Sequence, residues 1–100
     1  MTINFKKEND KWVMFFKGRL DTSATSTVEH EMKVFDNCNG DDIILDCEGL
    51  EYISSSGLRL FLVLLKKHKT RGSHIYLRKM NNNLKKVFDM TGFTSLFEFV

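Results

Sequence analysis

Apolar residues change their period several times along the chain, and each change marks an element. Residues 11–17, KWVMFFK, are rich in aromatic and β-branched side chains and predict a strand. Residues 2–7, TINFKK, predict a weaker one, and the polar ENDK between them supplies a hairpin turn. Gly18 to Asp21 breaks the pattern, leaving Asp21, Thr22 or Ser23 to cap a helix in which Ala24, Val28, Met32 and Phe35 recur as one narrow stripe. NCNGDD at 37–42 predicts the end of that helix. IILD at 43–46 is short, apolar and unbroken, as in a strand buried on both faces of a parallel sheet. After the serines at 54–56 an apolar helix of roughly fifteen residues runs to a stop at Arg71-Gly72. HIYLRK at 74–79 is a strand. Leu84, Val87 and Phe88 mark a third helix, capped near 81–83 and closed by Gly92, and the tail LFEFV is a final strand. The order β-β-α-β-α-β-α-β predicts one α/β domain over residues 1–100, its later strands joined by right-handed helical crossovers.

The helix behind YISSSGLRLFLVLL is apolar on two faces. Leu58, Phe61, Leu62 and Leu65 share the face expected to lie on the sheet. Leu60, Val63 and Leu64 share a second, with Ser56 at its head in line with Leu60, Val63 and Lys67; Ser55 lines up with Arg59 and Lys66 on the polar strip. The second face either packs on a neighbouring helix or forms a docking surface with a hydroxyl at its edge. Capping accounts for one serine, two at a stretch, so three leave a surplus. They follow a strand and open a helix, where functional groups of open α/β sheets are presented and where backbone N–H groups accept anions. Trp12, Phe15 and Phe16 read as core, Arg59 as either a plain solvated arginine or a group that steers a partner. Ser26 and Glu29 have capping-box spacing inside the predicted helix, a coincidence or a slightly later start.

Charge and composition narrow the function. The net charge is +2, but eight Lys/Arg and no acids lie between Lys66 and Lys86, while eleven of the thirteen acids lie at or before Glu51. Lys66, Lys67, Lys69 and Arg71 crowd the last turns of a helix, where cations suit the dipole, so nucleic acid is not the expected partner. The longest apolar run, LFLVLL, is far short of the roughly 18–20 residues a membrane span needs. The first residues lack the apolar core of a secretory signal, so the cytoplasm is the expected compartment. Cys38 and Cys47 are expected to be reduced thiols. His30, His68 and His74 lack metal spacing and are expected on the solvated surface. SSSG is not a G-x-S-x-G elbow and there is no G-x-x-x-x-G-K-[ST], so neither catalysis nor a cofactor is expected.

GRLD at 18–21, IILDCEGLEYISSSGLRLF at 43–61, GSHIYL at 72–77 and VFDMTGFTSLFEF at 87–99 together resemble the STAS domain of bacterial anti-sigma factor antagonists over nearly the whole chain. The resemblance implies a mixed, mostly parallel sheet of four to five strands with helices mainly on one side. It implies a binding module, not an enzyme. The serine before the glycine, here Ser56, would be phosphorylated by a partner that is both serine-protein kinase and anti-sigma factor. The unmodified form would bind that partner and free sigma, and a PP2C-type phosphatase would reset the switch. The family's aspartate near the site maps onto Asp21, and the docking surface would comprise Asp21, Ser54, Ser55, Ser56, Gly57, Arg59, Leu60, Val63 and Leu64. Many members carry aspartate where this chain has Ser54, which leaves Ser55 as the alternative phosphoacceptor. Many also end in one more helix; the apolar surface it would cover allows a weak homodimer. The rival use of the module is as a regulatory subunit of a membrane transporter or stress-sensing complex, without phosphorylation.

Overall fold

The computed structural model describes residues 1–37 and 40–100. Strands β1 (Thr2–Glu8) and β2 (Lys11–Leu20) form an antiparallel hairpin turned at Asn9, which adopts a left-handed φ of 49°. A 3-10 turn, Thr22–Ala24, leads into α1 (Thr25–Met32), and a second 3-10 turn, Lys33–Asn37, extends it. Then come β3 (Ile43–Ile53), α2 (Ser55–Lys69), β4 (Ile75–Arg78), α3 (Asn82–Met90), a 3-10 turn at Thr94–Leu96 and β5 (Glu98–Phe99). The predicted stop at NCNGDD includes Cys38 and Asn39, which lie outside the described residues.

The sheet order is β1-β2-β3-β4-β5, antiparallel at the first pair and parallel at the other three. Because each strand is added beside the last, three crossovers of one hand place α1, α2 and α3 on one face. The core lies there: Val28, Met32 and Phe35, Leu58, Phe61 and Leu64, and Leu84 and Phe88 cover Met14, Phe16, Ile43, Leu45, Ile75 and Leu77. An order without reversal leaves no switch-point crevice between diverging helices. The carboxyl ends of β2 and β3 therefore present a surface.

Phe16 is core and Trp12 packs against it, but Phe15 points to the helix-free face, where the Arg78 guanidinium lies 5.8 Å from its ring. Strand β3 is much longer than the predicted IILD. Its pairing with β2 shifts twice, between Phe15 and Lys17 and between Gly18 and Arg19, so β3 carries extra residues and its alternation of polar and apolar positions is broken. Gly49 sits in that irregular stretch, where a Cβ would stand 2.6 Å from the Phe16 carbonyl oxygen.

The buried seam of α2 is Gly57, Leu58, Phe61, Leu64 and His68. Two expectations are corrected. Leu62 and Leu65, placed on the sheet face, are only half-buried, whereas Leu64, assigned to the docking surface, is core. His68, expected in solvent, is fully buried edge-on to Phe35; His30 and His74 are exposed. A helix apolar nearly all round does not reveal which line is its centre, and Leu64 lies buried on the side of α2 that faces Glu29 and Met32 of α1. Cys47 is a free, buried thiol, and burial pushes its pKa up to about 12; Cys38 is outside the described residues. No helix among the described residues is long and apolar enough to cross a membrane.

Candidate functional site

Two capped turns meet at the carboxyl ends of β2 and β3. Asp21 leaves β2 in an extended conformation and its carboxylate accepts from the Ala24 N–H at 3.0 Å and the Ser23 hydroxyl at 2.7 Å. Those bonds, the Ser23 hydroxyl foremost, hold the Asp21 carboxyl below its ordinary pKa. Ser54 leaves β3 in the same manner and caps α2, its Oγ accepting from the Gly57 N–H at 3.1 Å. Leu20 pairs with Ile53, and the Ser54 N–H donates to the Leu20 carbonyl at 2.8 Å, which ties the two caps side by side.

The three serines have three environments. Ser54 is buried, with its Oγ 3.0 Å from that of Ser56. Ser56 is half-buried and Ser55 exposed. Ser55 lines a groove between α2 and the end of α3 with Arg59, Leu62, Thr91 and Phe93. Gly57 is buried, and its lack of a side chain has a steric cause: a Cβ would lie 2.8 Å from Leu20 Cγ and 2.9 Å from Ile53 Cγ1. Glycine lets the first turn of α2 settle onto the strand ends.

Along α2 from Ser56, Leu60 is half-buried and Val63 is 55% exposed. With Met32, Lys33 and Lys67 they line a groove of about 240 Å³ between α1 and α2. The Lys67 ammonium pairs with Asp36 across it and holds that carboxyl below its ordinary pKa. Both readings of the second apolar face are thus partly realised: Leu64 and Leu60 pack toward α1 and the core, while Val63 faces out.

The structure therefore gathers Asp21, Ser55, Ser56, Arg59, Leu60 and Val63 as accessible or half-accessible groups. It corrects the docking set at Ser54, Gly57 and Leu64, which are buried and serve the cap, the helix seating and the core. It adds a pair that sequence reasoning missed. Arg19 and Tyr52 are cross-strand partners, with the guanidinium 4.3 Å from the ring centroid and Tyr52 exposed. Each stands two residues before a cap, Asp21 or Ser54, and that shared offset was the available signal.

The STAS domain family model matches residues 2–100. The chain is a STAS domain. Its distant homologues are anti-sigma factor antagonists: the anti-sigma-B factor antagonist of Listeria monocytogenes is 24% identical over 93 residues, covering 93% of this chain and 82% of the relative. The STAS fold also superposes on a crystal structure of TM1081 from Thermotoga maritima, with a TM-score of 0.87, 17% identity, and coverage of 97% of this chain and 84% of that one. The anti-sigma factor antagonist SpoIIAA of Bacillus has been solved in an unphosphorylated form, with a TM-score of 0.74, 19% identity and coverage of 99% and 87%. Its phosphorylated form gives 0.73, 20%, 99% and 91%.

Proposed function

We propose that this STAS domain is an anti-sigma factor antagonist whose binding is switched by phosphorylation of Ser56. In the unmodified state it binds an anti-sigma factor that is also a serine-protein kinase, and sigma is released. Modification of Ser56 ends that binding, and a PP2C-type phosphatase restores it. The observation that supports this reading is the placement of a half-accessible hydroxyl at the start of α2, beside the Asp21 turn and at the head of the surface made by Leu60 and Val63. Ser55 is the alternative acceptor, but it opens onto a different groove, toward α3.

The physics of such a switch is consistent. A phosphate adds about −1.5 to −2 charges at a helix N-terminus, where negative charge is favourable, so the scaffold tolerates it. The cost falls on the docked partner. Desolvating a phosphate, or opposing it to carboxylates, costs several kcal/mol, and about 3–4 kcal/mol weakens binding by two to three orders of magnitude.

Two measurements test the reading. Phosphopeptide mass spectrometry after incubation with a GHKL-type serine kinase and ATP is expected to find the modification on Ser56; modification of Ser55, or of neither, overturns it. A Ser56→Asp variant is expected to lose that partner in a pull-down while keeping the wild-type melting temperature. A markedly lowered melting temperature argues against this mechanism. Recovery of a transporter subunit in place of the kinase would favour the regulatory-subunit use of the module.

A further inference from the structure

We propose that the Ser54 hydroxyl is a positioning group for chemistry at Ser56, orienting its oxygen before phosphoryl transfer and donating to the phosphate afterwards. This rests on the phospho-switch reading and concerns a residue that the docking surface does not expose.

The direction of the Ser54–Ser56 hydrogen bond follows from where each proton can go. Ser54 is 7% exposed and its Oγ already accepts from the Gly57 N–H. Its own proton needs an acceptor, because an unpaired buried hydroxyl is costly. Among the described residues the acceptor within reach is Ser56 Oγ, 3.0 Å away. A hydroxyl that accepts one hydrogen bond also donates a stronger one. The relay therefore runs from Gly57 N–H to Ser54 Oγ–H to Ser56 Oγ. Ser56 is only half-buried, so its proton is left for solvent or for the base of a transferase.

In the transfer, the Ser56 Oγ–P bond forms and the bond from the γ-phosphorus to the bridging oxygen of a nucleoside triphosphate breaks. A nucleoside diphosphate leaves, and the Ser56 proton passes to the transferase's base. The esterified Oγ is then a poor acceptor, while the non-bridging oxygens two bonds farther out carry the charge. The Ser54 O–H turns to one of them and makes a charge-assisted bond, stronger than the neutral one it replaces. One donor thus serves both states. A carboxylate at position 54 could cap α2 equally well but would have no proton to give.

The test uses the full chain with phosphoserine installed at position 56 during synthesis, so that no kinase is required, and follows the ³¹P resonance against pH. A donor to the dianion lowers the second pKa of the phosphate. Removing it by Ser54→Ala or Ser54→Gly is expected to raise that pKa by about half a unit to one unit, and Ser54→Thr to restore the wild-type value. The glycine variant keeps the cap position at a cost of only a few tenths of a kcal/mol, so the comparison survives if the alanine variant does not fold. In the alanine and glycine variants the Gly57 N–H loses its Ser54 acceptor and becomes free to donate to the phosphate, which lowers the pKa, so a rise in those chains reports the lost Ser54 donor against an opposing effect. Coincident titrations of the wild-type and glycine chains would reduce Ser54 to a cap and overturn the proposal. A kinase that leaves Ser56 unmodified would sink the switch and leave this titration standing.

Discussion

His68 lies four residues past Leu64 and seven past Phe61, on the buried seam of α2, its ring edge-on to Phe35 with centroids 6.3 Å apart. Neither ring nitrogen has a hydrogen-bond partner among the described residues. Burial, reinforced by Arg71 and Lys67 and opposed by Asp36, holds its pKa below the ordinary 6.5. The unfolded chain therefore binds the proton first as pH falls. The stability that neutral His68 confers is complete above about pH 6.5 and is lost as pH drops toward the folded value, by at most about 1.4 kcal/mol per unit. We expect urea unfolding to show this slope between about pH 6.5 and pH 5, and His68→Phe to abolish it in that window while unfolding no more easily at pH 7. An unchanged slope in the variant would assign it elsewhere. The spacing 61-64-68 was visible in the chain, but a polar ring on an apolar line has two readings until its neighbours are known. For Ser56 the α-helical period alone fixes its line, with Leu60, Val63 and Lys67, whereas packing decided that Ser56 and Leu60 are half-buried and Val63 exposed.

Gly57 and Gly49 show what a helix and a strand demand of their neighbours. Neither has a left-handed φ; each is a point of close approach, to Leu20 and Ile53 for Gly57 and to the Phe16 carbonyl for Gly49. Gly57→Ala adds helix propensity but drives a Cβ inside contact distance of two packed side chains, and overpacking of this kind costs about 1–3 kcal/mol. The overlap outweighs the propensity. Thermal unfolding should report a fall of about 4–8 °C per kcal/mol in a domain of this size; an unchanged or raised midpoint would show that α2 lifts off the strand ends freely. The existence and type of the elements were legible from periodicity, and the caps were legible as short stretches, 21–23, 54–56 and 81–83. The structure selects the first residue of each, Asp21, Ser54 and Asn81, whose side chains all accept from the backbone N–H three residues on. The second half of β3 was not. Its two register shifts scatter side chains off the strict alternation that makes a strand visible.

Across the sheet's helix-free face, Arg78 on β4 donates to Asp46 on β3 at 2.9 Å and to Glu8 at the end of β1 at 3.1 and 3.4 Å. Glu8 is held below its ordinary pKa chiefly by that hydrogen bond. Asp46 is 2% exposed, so Arg78→Leu leaves a buried carboxylate without its cation, which typically costs about 3–5 kcal/mol. Adding Asp46→Asn, whose carbonyl oxygen can still accept from the Glu48 N–H, should recover most of that loss. Urea midpoints of the single and double variants check this, and equal midpoints would show that charge pairing is not what holds these strands. No local pattern pointed to the triad, because its members are 32 and 70 residues apart.

Local periodicity and end chemistry were enough to specify the helices, most strands and the short stretches that hold the two caps at the site, because those properties depend on residues within a turn or two of one another. The choice of Ser56 rested on the resemblance of its serine–glycine motif to that of the family. Which stripe of α2 is innermost, that β3 bulges, that Leu64 and Ser54 are hidden, and that Arg19 stacks on Tyr52 beside the caps all depend on contacts between distant segments. Such contacts exist only once the strands have taken their order and register.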